Sequence, residues 1–135
     1  MNKKTVIFDL DGTLANIDVR RDKSTKPNGK LDWDIFASPK SIKDWDQPNV
    51  PVVEMAKLFH QDGFKIVIFS GRNDRGFDAT VDWLIWWDIP FDLLVMRPDK
   101  FKDKSWPIAD GNPATPDMRF MPDDILKKKM LDTFV

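Results

Sequence analysis

Thr5-Val6-Ile7-Phe8-Asp9-Leu10-Asp11-Gly12-Thr13 is the stretch that decides how this chain folds. Val6-Ile7-Phe8 is too short for a helix, is β-branched and aromatic, and has no polar alternation. That is the pattern of a strand buried on both faces of a parallel sheet. Parallel sheets keep their chemistry at the carboxyl ends of strands, where loops open into a crevice. Side chains alternate along a strand, so Asp9 and Asp11 are expected to project the same way into that crevice. Two carboxylates in one small volume are costly to ionise together, so either a cation sits between them or one holds a proton. The plainer reading is a turn at Asp11-Gly12 after a strand-end acid; the buried strand before it and Gly12-Thr13 after it favour a site.

Further along, Phe64-Lys65-Ile66-Val67-Ile68-Phe69 repeats the opening pattern and is followed by Ser70-Gly71-Arg72. A helix is expected between the two strands, from about Val50 to Gln61, with Asn49 as its cap and Gly63 ending it. Val52, Ala56 and Phe59 fall on one side of it, with Val53 and Met55 widening that side. Strand, helix and strand imply a right-handed parallel crossover, which brings Ser70 to the same rim as Asp9. A hydroxyl next to a glycine whose N–H can approach a ligand closely suits phosphate oxygens. A second helix over about 74–87 carries Ala79, Trp83, Trp86 and Trp87, read as core or interface. Phe91 to Arg97 is a third strand, with Arg97 at its carboxyl end. The last helix starts near Asp123, and its apolar arc of Leu126, Met130, Leu131 and Phe134 contains Lys127. A lysine aimed inward can neutralise a carboxylate cluster and a bound phosphate.

Two stretches lack a sustained period. Residues 15 to about 50 read as a flap over the strand ends, because a long unstructured loop inside a compact domain is usually functional. Its basic cluster, Arg20, Arg21, Lys23 and Lys26, reads as a solvated face. Trp33, Phe36 and Trp45 either pack the flap onto the body or stack on a base. Residues 99–121 read as an irregular insertion whose Lys100, Lys102 and Lys104 face solvent.

The 135 residues suit one domain with a single core. A hydrophobic content of 41% and a charged content of 32% are ordinary for a globular chain. The net charge of -1 excludes a general nucleic-acid coat, while leaving room for a local phosphate site. With no cysteine there is no disulfide framework and no thiolate metal site. The basic start Met1-Asn2-Lys3-Lys4 is followed by an apolar run that Asp9 cuts, so no signal peptide is read there. No stretch reaches the length of a membrane span, and a cytoplasmic protein without membrane partners is expected.

With Asp9-Leu10-Asp11-Gly12-Thr13, Ser70-Gly71 and Lys127 in this order, the chain resembles the haloacid dehalogenase superfamily of phosphohydrolases. Within it, Ile66 to Arg72, Phe91 to Pro98 and Met121 to Lys127 resemble the 3'-phosphatase domain of phage-type polynucleotide kinases. The resemblance implies a Rossmann-like α/β domain: a parallel sheet with flanking helices and a minimal flap or cap after the first strand. It implies a Mg²⁺-dependent phosphomonoester hydrolase acting through an aspartyl phosphate. Asp9 would be the nucleophile and Asp11 the general acid and base. Asp9 and the backbone carbonyl of Asp11 would bind Mg²⁺. Ser70, Gly71 and Lys127 would hold phosphate oxygens, with Arg72 and Arg97 as further substrate contacts. The substrate implied is a 3'-phosphorylated nucleic-acid end; a small nucleotide, or binding of a phosphate or partner without catalysis, is the alternative.

The same resemblance also raises an expectation about the metal. The superfamily has a further strand after the lysine helix, ending in aspartates that complete the Mg²⁺ site, and this sequence runs to Val135. Three explanations stand open: a truncated product, a strand borrowed from a partner, or a substitute aspartate from 99–121, Asp110 or Asp117. The missing strand would lie beside the first, so the nucleophile-bearing strand would keep an unpaired edge suited to self-association.

Overall fold

The computed structural model describes residues 4–98, 106 and 114–135. Its centre is a parallel sheet of three strands, β1 (Thr5–Asp9), β4 (Lys65–Asn73) and β5 (Leu93–Arg97), in the order β1-β4-β5. Two short strands, β2 (Ala15–Asn16) and β3 (Gln47–Pro48), form a separate antiparallel pair. Helix α4 (Val50–Gln61) links β3 to β4, α5 (Phe77–Trp86) links β4 to β5, and α6 (Asp123–Phe134) closes the described chain.

The two-residue period of β4 builds two cores. Ile66 and Ile68 point to one face, where Phe8, Leu94, Met96, Val53, Ala56, Trp83 and Leu84 bury them. Val67 and Phe69 point to the other, against Val95, Trp106, Leu126 and Met130. Helices α4 and α5 cover the first face and α6 the second. β4, between two strands and two helix layers, is therefore the strand with continuous burial.

β1 departs from the expected burial on both faces. Phe8 lies in the first core, but Ile7 on the opposite face is 38% exposed. Among the described residues β1 pairs only with β4, in register Thr5↔Lys65 to Asp9↔Phe69. A run of three apolar residues shows that a strand is hydrophobic, but not how many layers lie over it.

The flap is more ordered than its lack of period suggested. It holds α1 (Asp18–Lys23), α2 (Trp33–Phe36) and α3 (Pro39–Trp45) between β2 and β3. Each is too short to display a hydrophobic period. Local caps start two of them: the Asp32 carboxylate accepts from Asp34 N–H and Ile35 N–H, and Ser38 Oγ accepts from Ser41 N–H. Helix α3 packs on α5 and fastens the flap to the body.

Smaller expectations also shift. Asn49 occupies the cap position of α4 but makes no side-chain cap bond; its Nδ2 donates to Thr13 O at 2.9 Å, tying this helix to the loop after β1. Met55 is half exposed, so the buried side of α4 is narrower than expected. Of the three tryptophans at the end of α5, Trp83 joins the core, whereas Trp86 is 81% exposed. On α6 Leu131 lies outside the buried arc of Leu126 and Met130. Lys100, Lys102, Lys104 and Asp110 lie outside the described residues.

Candidate active site

Asp9 closes β1 and Asp11 follows in a tight turn, in which Gly12 takes a φ of 80° that an L side chain rarely adopts. Gly12 N–H donates to Ala15 O and Ala15 N–H to Leu10 O, so the chain folds back at once into β2. Both carboxylates line one cleft of about 820 Å³ at the carboxyl ends of the strands, with Ser70, Gly71, Arg72 and Lys127. The sequence-derived residues are therefore brought together, and the hinge of the arrangement is a bulge in β4.

Phe69 pairs with Val95, and the next register partner is Asn73 with Arg97. Four steps along β4 thus match two along β5, and Ser70-Gly71-Arg72 stands opposite the single residue Met96, an excess of two. Sequence reading placed these residues after the strand; they are an irregular part of it. The bulge puts the Ser70 hydroxyl in a buried position, where it accepts from Arg72 N–H at 3.1 Å. It also brings Gly71 under α6, where a Cβ would run into the Asp123 carboxylate.

Lys127 Nζ donates to Asp9 Oδ1 at 2.9 Å, spanning the last helix and the first strand. Leu10 N–H donates to the same oxygen at 2.8 Å. The Lys127 ammonium is therefore aimed into the cleft. Arg97 does different work from a free substrate contact: its Nε donates to Gly71 O at 2.9 Å, one terminal nitrogen to Met121 O at 2.6 Å, and the other pairs with Asp123 at 2.5 Å. It clamps the bulge to the start of α6.

Sequence reasoning missed a buried ionic network beneath Asp11. Arg72 donates through Nε to Asp11 Oδ1 at 2.8 Å, through one terminal nitrogen to Thr80 Oγ1 at 3.0 Å, and through the other to Asp46 Oδ2 at 2.7 Å. Arg20 donates to Asp46 Oδ1 at 2.8 Å and to Phe36 O at 2.7 Å, and reaches Asp11 at 3.5 Å. Arg20 is only 1% exposed, so this member of the flap's basic cluster is part of the interior and not of a solvated face. Burial pushes the Asp46 carboxyl above the usual aspartate range, against the opposing pull of Arg72 and Arg20. The available signal was the spacing Ile17, Arg20, Ser24, one helical face whose three members are all buried.

Magnesium takes oxygen donors, keeps several waters, and needs only one or two carboxylates beside a substrate phosphate. The Asp9 and Asp11 side chains are 42% and 29% exposed, so both are open to water and to an ion from the cleft. These residues fit Mg²⁺ as a partial protein site. Asp117 pairs with the Thr115 hydroxyl and does not line the cleft.

Fold and family together define a class, the α/β phosphatases of the haloacid dehalogenase superfamily. Residues 3–110 match the family described as the polynucleotide kinase PNKP phosphatase domain, and the chain belongs to that family. It is similar to a chain of the Pnkp1/Rnl/Hen1 complex, at 26% identity and a TM-score of 0.64, covering 98% of this chain and 34% of that one. A chain of the Pnkp1/Rnl/Hen1 RNA repair complex is similar at 28% identity and a TM-score of 0.62, with 96% and 31% covered. The chain thus spans about a third of the length of these neighbours. No helix among the described residues is long and apolar enough to cross a membrane.

Proposed function

We propose that this chain removes the terminal phosphate from polynucleotide 3' ends by Mg²⁺-dependent hydrolysis through an aspartyl phosphate on Asp9. The observation that carries this reading is the 2.9 Å contact from Lys127 Nζ to Asp9: a cation stands beside the nucleophile, where an arriving phosphate needs one. In the first step an Asp9 oxygen attacks phosphorus, the bond to the 3' oxygen breaks, and Asp11 gives that oxygen its proton. In the second, a water oxygen bonds to phosphorus, Asp11 takes a proton from that water, and the bond to Asp9 breaks to release inorganic phosphate. Ser70, Gly71 N–H and Lys127 hold the remaining oxygens as charge moves onto them. Arg72, with its guanidinium engaged by Asp11, Asp46 and Thr80, suits orienting Asp11 better than direct contact with phosphate. Asp9 and Asp11 would hold the Mg²⁺, which when bound offsets the repulsion between anionic nucleophile and anionic substrate.

A second reading, binding of a phosphorylated end without turnover, is favoured by one observation. Among the described residues no group of three or more His, Cys, Asp or Glu stands together as a metal site. The experiment is release of inorganic phosphate from a 3'-phosphorylated oligonucleotide with Mg²⁺, with chelator, and with Asp9→Asn. Release that needs Mg²⁺ and vanishes in Asp9→Asn supports hydrolysis; equal release by wild type and variant overturns it. Tight binding with no release establishes the second reading. Faster turnover of a mononucleotide than of the oligonucleotide would move the substrate to small nucleotides.

A further inference from the structure

Two aromatic side chains on the cleft wall have no role in the chemistry above. Trp33 of α2 is 64% exposed, and Phe120, which precedes α6, is 85% exposed. Both line the same cleft as Asp9, although they come from segments far apart in sequence. Trp33 is held by Phe36, edge-on at 5.4 Å, and an Arg119 guanidinium lies 5.1 Å over the Phe120 ring. Large aromatics gain most by burial, so two exposed in one concave site point to an occupant.

Charge identifies the occupant. Seven basic and three acidic side chains line this cleft, in a molecule of net charge -1. Arg21 and Arg75, both exposed, stand among them and line the same cleft as Trp33 and Phe120. Aromatic rings interleaved with cations suit an unpaired nucleic-acid strand, whose bases offer stacking faces and whose backbone supplies anions. A duplex keeps those faces stacked internally. The volume of about 820 Å³ exceeds what one terminal phosphate needs.

We infer that Trp33 and Phe120 form a stacking platform for the unpaired nucleotides next to the reacting end, with Arg21 and Arg75 on the adjoining phosphates. The platform makes single-stranded polynucleotide the favoured substrate class. It rests on the phosphatase reading only in that the terminal phosphate lies at Asp9. The test therefore separates the two by using a probe that is not a phosphatase substrate, a 5'-fluorescein single strand ending in a 3'-hydroxyl. Anisotropy titration gives its Kd for wild type, Trp33→Ala, Phe120→Ala and Trp33→Phe. Each alanine variant is expected to weaken binding about 5- to 100-fold, with Trp33→Phe restoring most of it. Circular dichroism and the thermal midpoint of each variant confirm that these exposed positions leave the fold intact.

Unchanged affinity in both alanine variants overturns the inference, whatever the phosphatase assay gives. So does equal affinity for a blunt duplex of the same length, or tighter binding of an acidic peptide, which would make the cleft a protein-docking site. Strand binding that depends on Trp33 and Phe120, without phosphate release from the 3'-phosphorylated strand, leaves the platform standing and removes the hydrolytic reading.

Discussion

The carboxylate of Asp46 is fully buried and divides its two oxygens between the guanidiniums of Arg20 and Arg72. Arg72 then passes that constraint to Asp11, so an acid outside the Asp9–Asp11 pair orients one member of it. Removing one partner of a buried ionic network leaves the others desolvated and unpaired, which costs about 3–5 kcal/mol. Asp46→Ala is expected to lose stability of that order in urea unfolding, and to lower kcat more than the oligonucleotide KM. The pH dependence has a definite sign. Because the Asp46 carboxyl is raised in the folded state, the native protein binds more protons than the unfolded chain between the ordinary aspartate value of 3.8 and the higher folded value. Its contribution to stability is therefore largest below that window and falls as pH rises through it. Asp46→Asn, which cannot ionise, should unfold with a flatter pH profile than wild type across that window. Asp9, Asp11 and Lys127 were legible in sequence because strand and helix periods placed them. Arg20 and Asp46 were not, because a charged residue in a polar stretch reads as solvated until tertiary packing buries it.

At the level of elements, the bulge in β4 decides the site. Two parallel strands in regular register would send Ser70, Gly71 and Arg72 alternately to opposite faces. The slip between Phe69 and Asn73 frees them from that alternation, and Arg97 from β5 ties the displaced carbonyl of Gly71 to the start of α6. The hydrophobic run Ile66 to Phe69 was readable as a strand, but a bulge depends on pairing with β5 and leaves no mark in a single sequence. Gly71 is where the bulge and α6 meet. A methyl at that position collides with the Asp123 carboxylate, which Arg97 holds in place. Gly71→Ala should therefore turn the Asp123 carboxylate off Arg97, loosen the clamp at the amino end of α6 and draw Lys127 from Asp9. The expected result is at least a tenfold fall in phosphate release, read by steady-state kinetics, with the urea midpoint moved by less than in Asp46→Ala.

For the whole molecule, the near-neutral composition conceals a segregated charge distribution. Acidic and basic residues almost balance over the chain, yet the cleft carries seven cations against three anions. Composition sums over the surface, so this asymmetry was beyond sequence reading even though its individual arginines were in view. Such a cleft focuses an electrostatic field toward an anionic strand, while the residues outside it carry the net negative charge. Binding should accordingly weaken with salt through release of counterions, with a logarithmic slope of about -0.7 for each backbone phosphate neutralised on a single strand. If Arg21 and Arg75 each engage one phosphate, their combined share is a slope of about -1.4. Anisotropy titrations of the 3'-hydroxyl strand at several salt concentrations measure it directly. Arg75→Ala should reduce the slope by about 0.7, since its exposed contact with Asp34 at 3.5 Å does little to hold the fold. Trp33→Ala should lower affinity at every salt concentration and leave the slope as in wild type, because stacking releases no counterions. A slope that Arg75→Ala leaves untouched would place the strand's backbone elsewhere in the cleft.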